Sequence, residues 1–181
     1  MTILTNPIQR PRTKVERLQW YAEHFRRMKQ KHLVHIATSR ERTVIDLNER
    51  IVAVLLIAKQ GIESQDEVKP LLDLLGDENY YPLTQGTAHE KENDAMLRSE
   101  TALALAKYGL KSEEFKNVLV SILKLMVHDP VFIAKNGSSM YFMNFACALY
   151  MADKDSIINE PVMKAYTRQD ELDRYIRDNL K

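Results

Sequence analysis

Residues 95–125 read AMLRSETALALAKYGLKSEEFKNVLVSILKL. Apolar side chains recur at helical spacing as far as Tyr108, Gly109 supplies a stop, Ser112 restarts the chain, and a second helix follows. The same grammar occurs 48 residues upstream. Asp46, Arg50, Ala58, Lys59, Gly61, Ile62, Ser64, Leu71 and Leu75 match Asp94, Arg98, Ala106, Lys107, Gly109, Leu110, Ser112, Leu119 and Leu123 at one constant offset. A repeat of that length is the signature of a helical array. Each helix pair carries more apolar surface than it can cover alone, so neighbouring pairs are expected to stack.

Outward from this stretch the chain reads as about seven main helices and no convincing strand. Residues 1–12, with Pro7 and Pro11, read as an extended arm. Residues 13–181 read as one all-α domain. Thr13 and Glu16 form a capping box, and Val15, Leu18, Ala22, Phe25, Met28, Leu33 and Ile36 predict one helix to about Ala37. A second helix starts between Arg40 and Thr43 and stops before Gly61. From Ile51 to Ala58 it is apolar on every side, which predicts burial all round. Ser64 and Glu67 open a third helix through Leu75, and Pro70 is expected to bend it or to delay its start. Residues 77–93, with Tyr80 and Tyr81, read as a long loop of the kind that often binds. Helices are then expected over 95–108, from Glu113 to His128, from Ser138 to Ala152, and from about Glu160 to the end.

The segments LLDLLGDEN and DAMLRSETALALAKYG resemble HEAT-type α-helical repeats, through Leu71 to Asp77 and then Asp94, Arg98, Ala102, Leu105 and Gly109. The resemblance covers roughly Thr43 to Leu125. A third unit, Ser112 to Ala152, keeps the helix pair but loses the Asp and the Arg, and the 77–93 insertion departs from the family's tight connection. What the resemblance implies is a short right-handed α-solenoid of stacked antiparallel helix pairs, usually a protein-binding or nucleic-acid-binding surface. The fold does not settle activity, because some HEAT-like proteins are enzymes.

Composition narrows the function classes. Apolar residues make up 45% and charged residues 28%, as in ordinary globular proteins. The longest apolar runs are far too short to span a bilayer, and the N-terminus lacks the order of a secretory signal, so a cytoplasmic protein is expected. The single cysteine, Cys147, excludes an internal disulfide. The formal charge of +1 hides an asymmetry, because the first 50 residues carry 11 Lys+Arg against 5 Asp+Glu. Such a basic end suits a polyanion, an acidic protein or the acidic part of a second copy.

Candidate sites are few. Arg26, Arg27, Lys29 and Lys31, with Arg10, Arg12, Lys14, Arg40 and Arg42, can meet phosphates or an acidic partner, although a solvated helix face is the simpler explanation of them. Tyr80 and Tyr81 suit partner contact. His24, His32 and His35 lack an evident further ligand, His89-Glu90 lacks the second His of a zincin, and Cys147 reads as a buried, inert thiol. His128-Asp129 reads as a helix end. No phosphate loop or nucleophile motif is present, and no cofactor or metal is expected. The first reading is therefore a non-enzymatic adaptor that binds protein through a helical-repeat surface, with self-association open. The alternative is a nucleic-acid-binding module using the arm and first helix. The weaker alternative is an enzyme with a pocket between helix pairs.

Overall fold

Two arginines at matching places of the repeat reach back to the helix before their own. Arg50 Nε donates to the Ala37 carbonyl over 2.7 Å, and Arg98 Nη1 donates to the Leu75 carbonyl over 3.0 Å. Both carbonyls lie in the last turn of a helix, where backbone acceptors have no intrahelical partner. In the computed structural model, which describes residues 13–39, 47–76, 87–127, 129–134 and 137–153, these bonds organise an all-helical chain. The described helices are α1 (Lys14–Phe25), α2 (Gln30–Thr38), α3 (Leu47–Gln60), α4 (Val68–Gly76), α5 (Ala88–Tyr108), α6 (Glu113–Met126) and α7 (Met140–Ala152).

The pairs α2–α3 and α4–α5 are tied at both ends, and α6–α7 at the end away from its turn. The Gln30 side chain at the start of α2 donates to the Gly61 carbonyl just past α3, while Arg50 near the start of α3 binds Ala37 near the end of α2. Tyr108 at the end of α5 donates to Gln65, one turn before α4, while Arg98 of α5 binds Leu75 in the last turn of α4. Lys116 in the first turn of α6 pairs with Asp153, the residue after α7, at 3.4 Å. Between these pairs, α3 packs on α5 and α5 on α7, with lighter contact of α2 on α4 and α4 on α6. The core follows these contacts, with Leu33, Ile57, Leu71, Leu75, Leu105, Phe115, Leu119, Phe142 and Phe145 fully enclosed.

Local chemistry sets most boundaries. The capping boxes Thr13–Glu16 and Ser64–Glu67 form as expected, and Ser112 caps α6 through the Phe115 amide. Gly61 and Gly109 adopt φ of 88° and 90°, a left-handed stop that a Cβ would penalise. At Gly109 the chain closes with Leu110 N–H bonded to the Leu105 carbonyl. The start of α4 is delayed, as Pro70 led to expect, to Val68. A 3₁₀ turn, Gln65–Glu67, leads directly into Val68, so Pro70 falls in the first helical turn, where its missing N–H costs no bond.

Four expectations change. The expected first helix is two, α1 and α2, broken over residues 26–29. At 100° per residue, an unbroken helix would turn the buried face of α2 (Leu33, Val34, Ala37) about 100° from that of α1 (Leu18, Ala22, Phe25). The break re-aims it onto α3 and α4. The 77–93 loop is shorter than expected, because Thr87 and Glu90 form a capping box and residues 88–93 begin α5. Near residue 133 the turn is a two-residue antiparallel ladder, with Ile133 opposite Ser138 and Ala134 opposite Gly137, and α7 is capped one residue later, at Ser139. Finally, α3 is enclosed through Ile51–Val54 and Ile57, but Leu55 is 38% exposed. The arm, Asp46 and the helix expected from Glu160 lie outside the described residues.

The ion pair Asp94–Arg98 is nearly solvent-free, at 1% and 4% exposed. Arg98→Ala leaves a buried carboxylate without that cation and frees the Leu75 carbonyl. It should cost about 3–5 kcal/mol in urea unfolding. Asp94→Leu with Arg98→Met should recover part of that loss. A cost near zero for Arg98→Ala would show that the pair is not a structural tie.

Candidate functional site

The break between α1 and α2 leaves α2 starting in the open, opposite the turn that follows α3. Between them lies a cleft of about 870 Å³, a size that holds small ligands or short segments. One wall is α2, with Lys29, Lys31 and His35 exposed along it. The other is the connection from α3 to α4, with Glu63, Ser64 and Asp66 exposed. Met28, Val34 and Pro70 give the cleft an apolar part. Gln30 lines it too, at 4% exposed, with its Nε2 bonded to the Gly61 carbonyl. Its Oε1 is buried and has no hydrogen-bond partner among the described residues.

Glu67 is also buried, but it is occupied. Its Oε2 accepts from the amides of Glu63 and Ser64 at 3.1 and 3.4 Å. That bond pair ties the turn together, and Glu63 and Asp66 are exposed on it. Opposite charges therefore face each other across the cleft, with lysines on one side and carboxylates on the other.

Lys29 and Lys31, anticipated as partner-binding, line this cleft. Arg26 and Arg27 sit exposed in the adjoining turn and do not line it. Tyr80, Tyr81, Arg10, Arg12, Arg40, Arg42 and His128 lie outside the described residues, as does the side chain of Lys14. The acidic wall and Gln30 were not anticipated. The only local signal for that wall was the run ESQDE after Gly61, which reads equally well as the start of a helix.

The histidines do not converge. The His24 ring stacks on Trp20 at 3.8 Å, with Nδ1 2.7 Å from the Trp20 carbonyl, and His89 pairs with Asn93 in its own helix. His35 shares the cleft with Glu63 and Asp66, yet no hydrogen bond or ion pair joins it to either among the described residues. No group of three His, Cys, Asp or Glu side chains there is placed to hold a metal ion. Burial pushes the Cys147 thiol up to about 11, against a small opposing pull from Lys107, so the thiol is protonated and unreactive at neutral pH. No described helix is long and apolar enough to cross a membrane.

A second polar junction lies between α5 and α7. The Asn144 amide, 3% exposed, reaches Glu100 Oε1 at 3.3 Å and Ser99 Oγ at 3.5 Å. Burial raises the Glu100 carboxyl above its ordinary range, with Lys107 opposing. Tyr141 is raised for the same reason, burial, with Glu92 and Glu100 adding repulsion. The junction contributes packing polarity between helices and no cavity.

Comparison with protein-family models, with curated proteins and with solved structures finds no match. The cleft's chemistry therefore carries the functional reading.

A group whose folded pKa is raised contributes stability at low pH that is lost as pH rises through the folded value. Glu100→Gln keeps an acceptor for Asn144 and removes the buried charge. It should raise the melting temperature at pH 7, and the gain should vanish below the ordinary carboxyl range. A variant equal to the parent at pH 7 would show that the carboxylate is not penalised by burial.

Proposed function

We propose that the chain is a non-enzymatic adaptor, a short HEAT-like solenoid of stacked antiparallel helix pairs that binds a protein partner through the α2 cleft. The observation that carries this reading is the cleft itself, open, concave and lined by Lys29 and Lys31 facing Glu63 and Asp66. Walls of opposite charge select register and orientation in a polypeptide better than they select a small neutral molecule. The helix contacts support the array. The first two pairs are joined at both ends and the third at the end away from its turn, and the second helices α3, α5 and α7 pack in a row. The absence of hydrogen bonds between His35 and the facing carboxylates gives a catalytic reading little to stand on, since a general base needs an orienting partner.

Immobilised protein should retain a specific protein from a lysate of its source. Lys29→Glu with Lys31→Glu should cut retention by about tenfold or more, the factor expected from reversing charge at a steered interface. Lys124→Ala, on the exposed side of α6, should leave it unchanged. Equal retention by both variants would remove the cleft from the interaction.

A second reading rests on a separate observation. Arg17, Arg26, Arg27, Lys29 and Lys31 are all exposed, spread over α1, the turn after it and α2. Such a basic stretch binds nucleic acid through phosphates. Binding should then weaken steeply with salt and be lost in Arg26→Glu with Arg27→Glu. No mobility shift of DNA or RNA at low salt would end this reading.

A further inference from the structure

Helix α5 has α3, α4 and α7 packed on it. Of the thirteen residues from Asp94 to Ala106, ten are buried. The other three, Met96, Glu100 and Leu103, are half-buried. With the exposed Glu92 and Lys107 they fall within about 80° of arc at 100° per residue. One narrow strip of α5 therefore meets water, and along the chain it reads acid, Met, acid, Leu, base.

The ends of the strip are unspent. Neither the Glu92 nor the Lys107 side chain makes a hydrogen bond or ion pair among the described residues. Its middle is apolar, through Met96 and Leu103, which a strip made only for solvation does not need. The repeat extends the pattern onto α3. Leu55, 38% exposed, stands 48 residues before Leu103, and the exposed Lys59 stands 48 before Lys107.

The strip is also complementary to itself in one direction. Met96 and Leu103 lie equally far from a point between Ser99 and Glu100, and so do Glu92 and Lys107. Two such strips laid antiparallel about that point set Glu92 against Lys107 twice and Met96 against Leu103 twice. Laid parallel, they set like charge on like charge. A two-fold contact needs this kind of self-complementary patch.

We propose that α5 packs antiparallel on α5 of a second copy, across a two-fold axis between Ser99 and Glu100, with Glu92 of each molecule paired to Lys107 of the other. One group opposes the contact. The two Glu100 carboxylates come together near the axis, and like charges there repel. The Asn144 amide on Glu100 Oε1 offsets only part of that. The dimer is therefore weak and reversible. Its face shares no residue with the α2 cleft, so this inference and the adaptor reading stand or fall separately.

Sedimentation equilibrium of the full-length protein should show monomer and dimer exchanging between micromolar and millimolar concentration. Lys107→Glu should weaken the dimer about tenfold, because the two-fold turns two surface pairs repulsive at once. Adding Glu92→Lys to the same chain should restore it, since both pairs re-form with their signs exchanged. Glu100→Gln should tighten the dimer severalfold, and Lys124→Glu, on the exposed side of α6, should leave it unchanged. A monomer at every concentration would overturn the proposal. So would a dimer indifferent to Lys107→Glu, or one that the double exchange fails to recover. A Glu100→Gln dimer no tighter than the parent would overturn the position of the axis.

Discussion

A guanidinium keeps its charge at any working pH, so burying one demands fixed acceptors around it. Among the described residues two are buried, Arg50 at 1% and Arg98 at 4% exposed, and each spends a donor on a carbonyl in the last turn of the preceding helix. The bond does two jobs at once. It satisfies a helix end that would otherwise be orphaned, and it fixes where the second helix of a pair crosses the first. Arg50 reaches back 13 residues and Arg98 reaches back 23. The connections themselves, residues 39–46 and 77–87, differ by only three residues; most of the difference in reach arises because Arg50 is the fourth residue of α3 and Arg98 the eleventh of α5.

Two sequence offsets relate the helices. At a constant offset of 48 residues, α3 aligns with α5 and α4 with α6. At 38 residues, Leu33, Val34 and Ala37 of α2 fall on Leu71, Leu72 and Leu75 of α4, and all six are buried. No single offset reveals both alignments. The third pair, α6 and α7, lacks the arginine, and its ties are of another kind. Asn144 reaches from α7 to Ser99 and Glu100 of α5, and Lys91 of α5 pairs with Asp129 at 2.6 Å, near the end of α6. A neutral amide costs less to bury than a guanidinium, but it also specifies less.

What could be read from sequence was what local chemistry decides. Thr13–Glu16, Ser64–Glu67, Gly61, Gly109 and Ser112 each act within three or four residues, and each falls where its type predicts. Thr87–Glu90 was equally local, but the polar run that follows it hid the helix, because α5 begins with a solvated turn and becomes buried only from Asp94 onward. The break at residues 26–29 was not local. No proline or glycine marks it, and its cause is the direction of the core contributed by α3 and α4. The same holds for the cleft. Lys29 and Lys31 stood out as cations, whereas Gln30, Glu63 and Asp66 acquire meaning only when Gln30 meets Gly61, 31 residues away.

The break and the cleft have one origin. Had α1 run on through Lys29, the amides of residues 30–33 would have been bonded to the carbonyls of residues 26–29 as in any helix interior. Ending α1 at Phe25 and restarting at Gln30 turns the His32 and Leu33 amides onto the Lys29 carbonyl and tips Leu33, Val34 and Ala37 into the core. Burial of those three side chains gives the restart its stabilising term, about 25 cal/mol for each Å² of apolar surface removed from water. The buried Gln30 bond to Gly61 then pins the new helix start beside the acidic turn. Core packing, rather than any local capping signal, therefore places an uncapped helix start and two lysines on one side of the cleft, with Glu63 and Asp66 on the other.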